Sequence, residues 1–207
     1  MKEFLRTVVL QNRLTKEFEE AQLYRELDQK NFDDFEQLWK PLLEARRAEF
    51  ESWEAAAEGD AQDSHWQWAE KAVDASTSMA DETYAVECAG ETQGLMLVTS
   101  AAFARLEVQR GREIVYIELL STAPWNRPRL VKKEARYKGV GRVLVTEAIN
   151  LSYQLEFNGR LGLHSLPQSE SWYRDVGKFT DLGHDDDKRM QYFEVTEAQA
   201  AAFLADD

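Results

Sequence analysis

Residues 135–145 read ARYKGVGRVLV, with two glycines one residue apart, a basic run before them and an apolar run after. Upstream, GREIVYIELLST over residues 111–122 has the composition of a strand. Downstream, Leu144, Ala148, Leu151 and Leu155 repeat at helical spacing. A strand that passes through a glycine turn into a helix limits the folds open to this chain. The helix's opening N–H groups have no internal carbonyl partner, and the helix dipole adds a partial positive charge. An anion fits there, and glycine lets the backbone approach it closely.

The spacing excludes two phosphate-binding loops. GxxxxGK[ST] is absent, which argues against a nucleoside triphosphatase. The dinucleotide fingerprint needs a third glycine where Leu144 stands, which argues against a dehydrogenase. Arg127, Arg129, Lys132, Lys133, Arg136, Lys138 and Arg142 place seven of the 25 basic residues within positions 127–142, against one acid, Glu134. In a chain of net charge −13 this local inversion of sign calls for a polyanion. Coenzyme A, with a pyrophosphate and a separate 3′-phosphate, answers that description. The alternative is a solvated surface loop ahead of an ordinary helix.

The acidic surface disfavours a general nucleic-acid binder and leans towards a cationic or amine substrate. One cysteine, Cys88, rules out an intrachain disulfide and reads as a small core residue. No apolar run approaches the ~18–20 residues needed to span a bilayer, so a cytoplasmic protein is expected.

Residues 1–80 are expected to be mostly helical and packed on the rest, within one compact domain overall. Leu14, Phe18 and Ala21 share a helical face within residues 10–27. Asn31 is placed as the cap of a second helix in which Phe35, Trp39 and Leu42 share a face, with Pro41 as a kink and Gly59 as its end. Asp63 and Ser64 are placed as caps of a third. Residues 2–10 lean towards a first strand. From residue 81 the expected order is β-β-β-α-β-α-β, a mixed α/β sheet with helices on its faces. It opens on a hairpin turning at residues 89–92 and includes LGLHS, residues 161–165. The acidic GHDDDKR stretch is read as a solvated hairpin turn.

In element order and in Arg136-x-x-Gly139-x-Gly141, residues 81–195 resemble the GCN5-related N-acetyltransferase superfamily. YIELLSTAPWNR and SESWYRDVGKF resemble its fourth strand and its closing helix. The resemblance implies that fold with a helical N-terminal elaboration, and an acetyl-coenzyme A-dependent transfer to an amine. It implies that Arg136 and the loop amides of Tyr137, Lys138, Gly139, Val140, Gly141 and Arg142 hold the pyrophosphate. The backbone of Leu120, Ser121 and Thr122 would pair with the pantetheine arm, where the fourth and fifth strands splay apart. Glu118 corresponds to a strand glutamate that contacts or deprotonates the amine, and Tyr173 to the general acid for the departing thiolate. His164 is a second base candidate that reads more readily as a packed strand histidine. About nine residues, 128–136, are inserted ahead of the glycine loop relative to the family pattern. The expected partners are acetyl-coenzyme A and an amine acceptor, with the protein a monomer or homodimer. Two other readings are a coenzyme A-binding regulatory protein without turnover and a toxin that acetylates aminoacyl-tRNA.

Overall fold

The computed structural model describes residues 2–206. Its strands are β1 (Glu3–Asn12), β2 (Phe18–Arg25), β3 (Asp81–Cys88), β4 (Glu91–Phe103), β5 (Glu113–Thr122), β6 (Tyr137–Lys138), β7 (Leu161–Ser165), β8 (Thr180–Asp185) and β9 (Met190–Val195). Its α-helices are α1 (Gln29–Asp34), α2 (Lys40–Arg47), α3 (Trp68–Ser76), α4 (Pro128–Val131), α5 (Val140–Gln154) and α6 (Glu197–Ala205). The chain forms two compact units, Met1–Leu97 with Leu119–Leu144, and Val98–Glu118 with Val145–Asp207. The divisions fall inside β4, β5 and α5.

In the first unit the strands lie in the order β6-β1-β2-β3-β4-β5. Residues 10–27 do not form the expected helix; β1 and β2 make an antiparallel hairpin, with Val8 opposite Ala21 and Leu10 opposite Glu19. Ala21 and Leu23 turn inward at strand period, while Leu14 and Phe18, from the expected helical face, are exposed. The Asn12 side chain accepts the N–H groups of Leu14 and Thr15 at 2.9 and 3.2 Å, which closes the turn.

Asp28, not Asn31, caps α1. Its side chain accepts the Asn31 N–H while the Asn31 side chain accepts the Asp28 N–H, a reciprocal capping box. A single π-helical turn, Phe35–Trp39, then joins α1 to α2, with the Lys40 N–H reaching back to the Phe35 carbonyl. The extra residue in a π turn rotates the helix face. Leu43 therefore joins Phe35 and Trp39 in the core, and Leu42, expected there, is exposed. Pro41, which has no N–H to give, sits just past this wide turn. The helix stops at Arg47, and α3 begins after Gln67, so neither Asp63 nor Ser64 caps it. Trp68 of α3, Leu95 of β4 and Leu130 of α4 pack with Phe35, Trp39 and Leu43 in one apolar cluster.

In the second unit the order is β4-β5-β7-β9-β8. β7 runs parallel to β5, with Val115 opposite Leu161 and Ile117 opposite Leu163. A parallel pair needs a long crossover, which α5 supplies between them in sequence. β9 lies antiparallel to β7, and β8, not expected from the sequence, pairs with β9. His184 is thus on a strand and not in a turn.

Gly94 marks the closest packing on the glycine helix. A Cβ there would lie 2.6 Å from Val140 Cγ1 and 3.0 Å from Leu144 Cδ1. Gly94→Ala is expected to cost about 1–3 kcal/mol through overpacking, read as a lower denaturation midpoint in urea.

Candidate functional site

In the first unit β6 delivers the chain to Gly139, whose φ of 105° lies in the region that only glycine enters easily. The first helical bond of α5 runs from the Val143 N–H to the Gly139 carbonyl at 2.9 Å. The helical N–H groups ahead of that bond have no carbonyl one turn back. The loop is anchored from its other side. The Arg136 N–H donates to the Trp125 carbonyl, and the Arg13 N–H to the Arg136 carbonyl. The Tyr137 N–H donates to Asn126 Oδ1 at 2.9 Å and its hydroxyl to Glu19 at 2.6 Å. This corrects one expectation: the Tyr137 amide is spent inside the protein and does not face outward with the loop amides.

Gly141 stands apart among the ten glycines. Five have positive φ, and at Gly59, Gly94, Gly162 and Gly177 an added Cβ would meet atoms at 3.0 Å or less. At Gly141 the nearest atom is Thr122 Cγ2 at 4.0 Å, so neither φ nor packing requires glycine there. Gly141 is the second residue of α5, and the space beside it next to Thr122 is open.

The expected polycationic patch is largely neutralised. Arg129 faces Asp60 at 3.7 Å, Lys132 faces Glu49 at 2.8 Å and Arg136 pairs with Glu91. Arg127 is buried against Asp63, whose side chain is 2% exposed. Its Nη1 donates to Asp63 Oδ1 at 2.6 Å and to the Asp60 carbonyl at 2.9 Å. Its Nη2 reaches Asp63 Oδ2 and Ser121 Oγ, both at 2.6 Å, and Nε reaches the Thr122 carbonyl at 2.8 Å. The inserted 128–136 segment is packed down, with Leu130 in the core. The acids responsible sit 45 to 83 residues away in sequence, in Glu49–Asp63 and at Glu91, so spacing within 127–142 gave no sign of them.

β5 carries Leu120, Ser121 and Thr122 at its end. Its paired residues with β7 stop at Ile117 and Leu163, and β5 continues to Thr122 past the last of them. The Thr122 carbonyl is taken by Arg127, and the Ser121 hydroxyl donates to Asp63 at 2.7 Å, so the clamp fixes this end of the strand.

In the second unit Glu118 is an exposed carboxylate on β5. Tyr173 lies in a π-helical turn, Trp172–Val176, and is 7% exposed. The rings of Trp172, Phe179 and Phe193 surround it, with centroids 5.1, 5.7 and 5.9 Å away. Burial alone pushes its hydroxyl pKa up, so it is a neutral O–H at physiological pH. His164 is more than a packed strand histidine, because both of its ring nitrogens are engaged. Nδ1 meets the Tyr116 hydroxyl at 2.6 Å and Nε2 meets Asp185 Oδ2 at 2.9 Å. Nothing local in the sequence joins Tyr116 and Asp185 to His164, since only the β7–β9–β8 pairing brings Asp185 to this imidazole.

No family model matches the sequence, and no curated protein matches it. Solved structures do. RimJ from Mycobacterium smegmatis, in complex with CoA-disulfide, shares 14% identity, with 97% of this chain and 93% of that one covered at a TM-score of 0.51. The PaiA N-acetyltransferase from Thermoplasma acidophilum, in complex with coenzyme A, shares 13% identity, with 84% and 97% covered at 0.51. A bacterial toxin shares 14% identity, with 71% and 82% covered at 0.51. The chain has the GCN5-related N-acetyltransferase fold. Among the described residues no helix is long and apolar enough to cross a membrane.

The clamp gives a test of its own. Burial works to raise the Asp63 pKa, but the Arg127 charge and the hydrogen bonds from Arg127 and Ser121 prevail and hold it below the usual carboxylate range. A depressed folded pKa adds stability that is present above the unfolded value of about 4 and lost as pH falls through the folded value. Asp63→Asn should cost about 3–5 kcal/mol at neutral pH, because it leaves a buried guanidinium unpaired. In urea unfolding across pH, the gap to wild type should narrow below about pH 4; a gap independent of pH would contradict the assignment.

Proposed function

We propose that this protein transfers the acetyl group of acetyl-coenzyme A to a primary amine of a small molecule, peptide or protein, by direct attack in a ternary complex. The observation that carries the reading is Gly141, a helix glycine that neither its φ nor its packing requires, two residues beyond a glycine that the turn does require. The coenzyme A complexes of PaiA and RimJ, on the same fold, support it. The pyrophosphate would be held by Gly139, Val140, Gly141 and Arg142, with Lys138 and Arg136 alongside. The pantetheine arm would pair with β5 at Leu120 and Ser121, where its pairing with β7 has ended. Thr122, with its carbonyl spent on Arg127, would contribute through its side chain beside Gly141.

Acetyl-coenzyme A supplies an activated acyl carbon and a thiolate leaving group. Glu118, exposed on β5, would hold the amine. The buried and neutral Tyr173 hydroxyl would give a proton to the departing sulfur. The net charge of −13 favours cationic acceptors. An acceptor panel of polyamines, amino-terminal peptides and aminoacyl-tRNA, read by thiol release, identifies the substrate class. Acetylation of charged tRNA alone would redirect the reading to the toxin class, and coenzyme binding without transfer would redirect it to a binding protein.

Gly141→Ala should leave thermal stability equal or slightly higher and weaken coenzyme A binding at least tenfold by calorimetry; unchanged affinity would remove the loop from the site. Tyr173→Phe should lower kcat by roughly 10²-fold or more while leaving coenzyme affinity near wild type, measured by steady-state kinetics beside calorimetry.

A further inference from the structure

We propose that Tyr116, His164 and Asp185 form the proton-accepting relay of the transfer, with the Tyr116 hydroxyl as the group that meets the amine. The inference rests on the acetyltransferase reading above and names the base within it.

The three side chains have one self-consistent protonation pattern. Arg105 binds Asp185, and Arg105 with His164 holds that carboxylate far below its ordinary range, so it is charged and accepts. It therefore takes the Nε2–H of His164 at 2.9 Å. The imidazole side chain is 3% exposed, and burial pushes its pKa below the ordinary histidine value, so it is neutral and Nδ1 carries a lone pair. That lone pair faces the Tyr116 hydroxyl at 2.6 Å. Burial and the nearby Glu118 charge push Tyr116 up to about 12, so it keeps its proton and donates to Nδ1. A hydroxyl, an imidazole and an orienting carboxylate in this order are the arrangement in which the imidazole takes the hydroxyl's proton; here the Tyr116 oxygen would take a proton from the amine as it gives up its own.

The placement fits an acceptor held by Glu118. Tyr116 and Glu118 are two apart on β5 and so project from one face of the strand. An ammonium or amine drawn to the exposed Glu118 carboxylate comes to the hydroxyl side of Tyr116. Other groups also face the imidazole. On β9 the Tyr192 ring lies 4.7 Å from it, with the Tyr192 hydroxyl bound to Glu194. Arg105 stacks 4.3 Å over that ring, and Lys188 follows from the β8–β9 turn; both cations oppose protonation of His164.

The step balances. As the amine nitrogen bonds to the acyl carbon, its N–H turns acidic and that proton passes to the Tyr116 oxygen. The tyrosine's own proton passes to Nδ1, giving an imidazolium paired with Asp185. The C–S bond breaks with its electron pair on sulfur, which takes a proton from Tyr173. The imidazolium then returns its proton to water, and Tyr173 regains one from water.

The test uses the full chain with Tyr116→Phe and Asp185→Asn. Tyr116→Phe keeps the ring and removes only the hydroxyl. In the free protein, ¹⁵N-edited NMR should show His164 carrying its proton on Nε2 and titrating below the ordinary histidine value. With a saturating amine, wild-type kcat should fall at acid pH as Nδ1 protonates, and hold above that pH. Tyr116→Phe should lose roughly 10²-fold in kcat, keep KM for coenzyme near wild type, and lose the acid limb. Asp185→Asn should lose kcat while the NMR signal moves away from the Nε2–H form. Wild-type kcat with the acid limb intact in Tyr116→Phe would overturn the relay, as would a His164 that is charged at neutral pH. Coenzyme binding without transfer by wild type would overturn the relay and leave the loop assignment standing. No coenzyme binding would overturn both.

Discussion

One buried ion pair organises the first unit. Taking Arg127 and Asp63 out of water costs several kcal/mol per ion unless geometry and further hydrogen bonds compensate. A guanidinium has five N–H donors. Here the five find two Asp63 oxygens, the Asp60 and Thr122 carbonyls and the Ser121 hydroxyl, so none is left unmet. The pair joins the 60–63 segment to the end of β5, the stretch whose backbone is proposed to meet the pantetheine arm. It also withdraws Arg127 from any contact with phosphate. A cation that looked in the sequence like part of an anion site is part of the frame that holds the site.

That inversion shows where the sequence was legible and where it was not. The glycine turn, the helix after it, the β3–β4 hairpin and β7 all rest on local signals, and the structure has them near the expected bounds. Ala89 and Gly90, with φ of 52° and 78°, make the hairpin turn where turn chemistry placed it. The misses each turn on a distant partner. Leu14, Phe18 and Ala21 fit a helix by spacing, but Ala21 and Leu23 also fit a strand, and pairing with β1 decided between them. β8 carries three acids or histidine among six residues and has little apolar pattern; β9 makes it a strand. The π turn before Pro41 shifted a core position by one residue, which no periodicity of 3.6 reveals.

In the proposed site the glycine loop would meet an anion by a different route from the one the basic run suggested. Arg127, Arg129, Lys132 and Arg136 are matched to acids, so the opening N–H groups of α5 and its dipole add to what Lys133, Lys138 and Arg142 can offer an anion there. Backbone donors are fixed in place by the helix and lose no side-chain entropy on binding. They also demand closeness, because their reach is short. Gly139 sets the turn at its φ of 105°, and in the proposed site Gly141 would keep the approach open.

The second unit applies the same physics to proton chemistry. Its carboxylates are anchors: Glu194 accepts from the Arg105 and Leu106 N–H groups, Gln109 and Tyr192, and Asp185 is held by Arg105 and His164. Its buried tyrosines stay protonated, so what distinguishes them is the partner of the hydroxyl. Tyr116 has a neutral imidazole lone pair behind it and can take a proton on one side while releasing one on the other. Tyr173 sits in a cage of rings, and among the described residues no hydrogen bond reaches its hydroxyl. Nothing behind it can accept, so its proton is available only outward. In the proposed transfer the same side chain would thus serve opposite ends of one reaction, an acceptor where an imidazole backs it and a donor where only rings do.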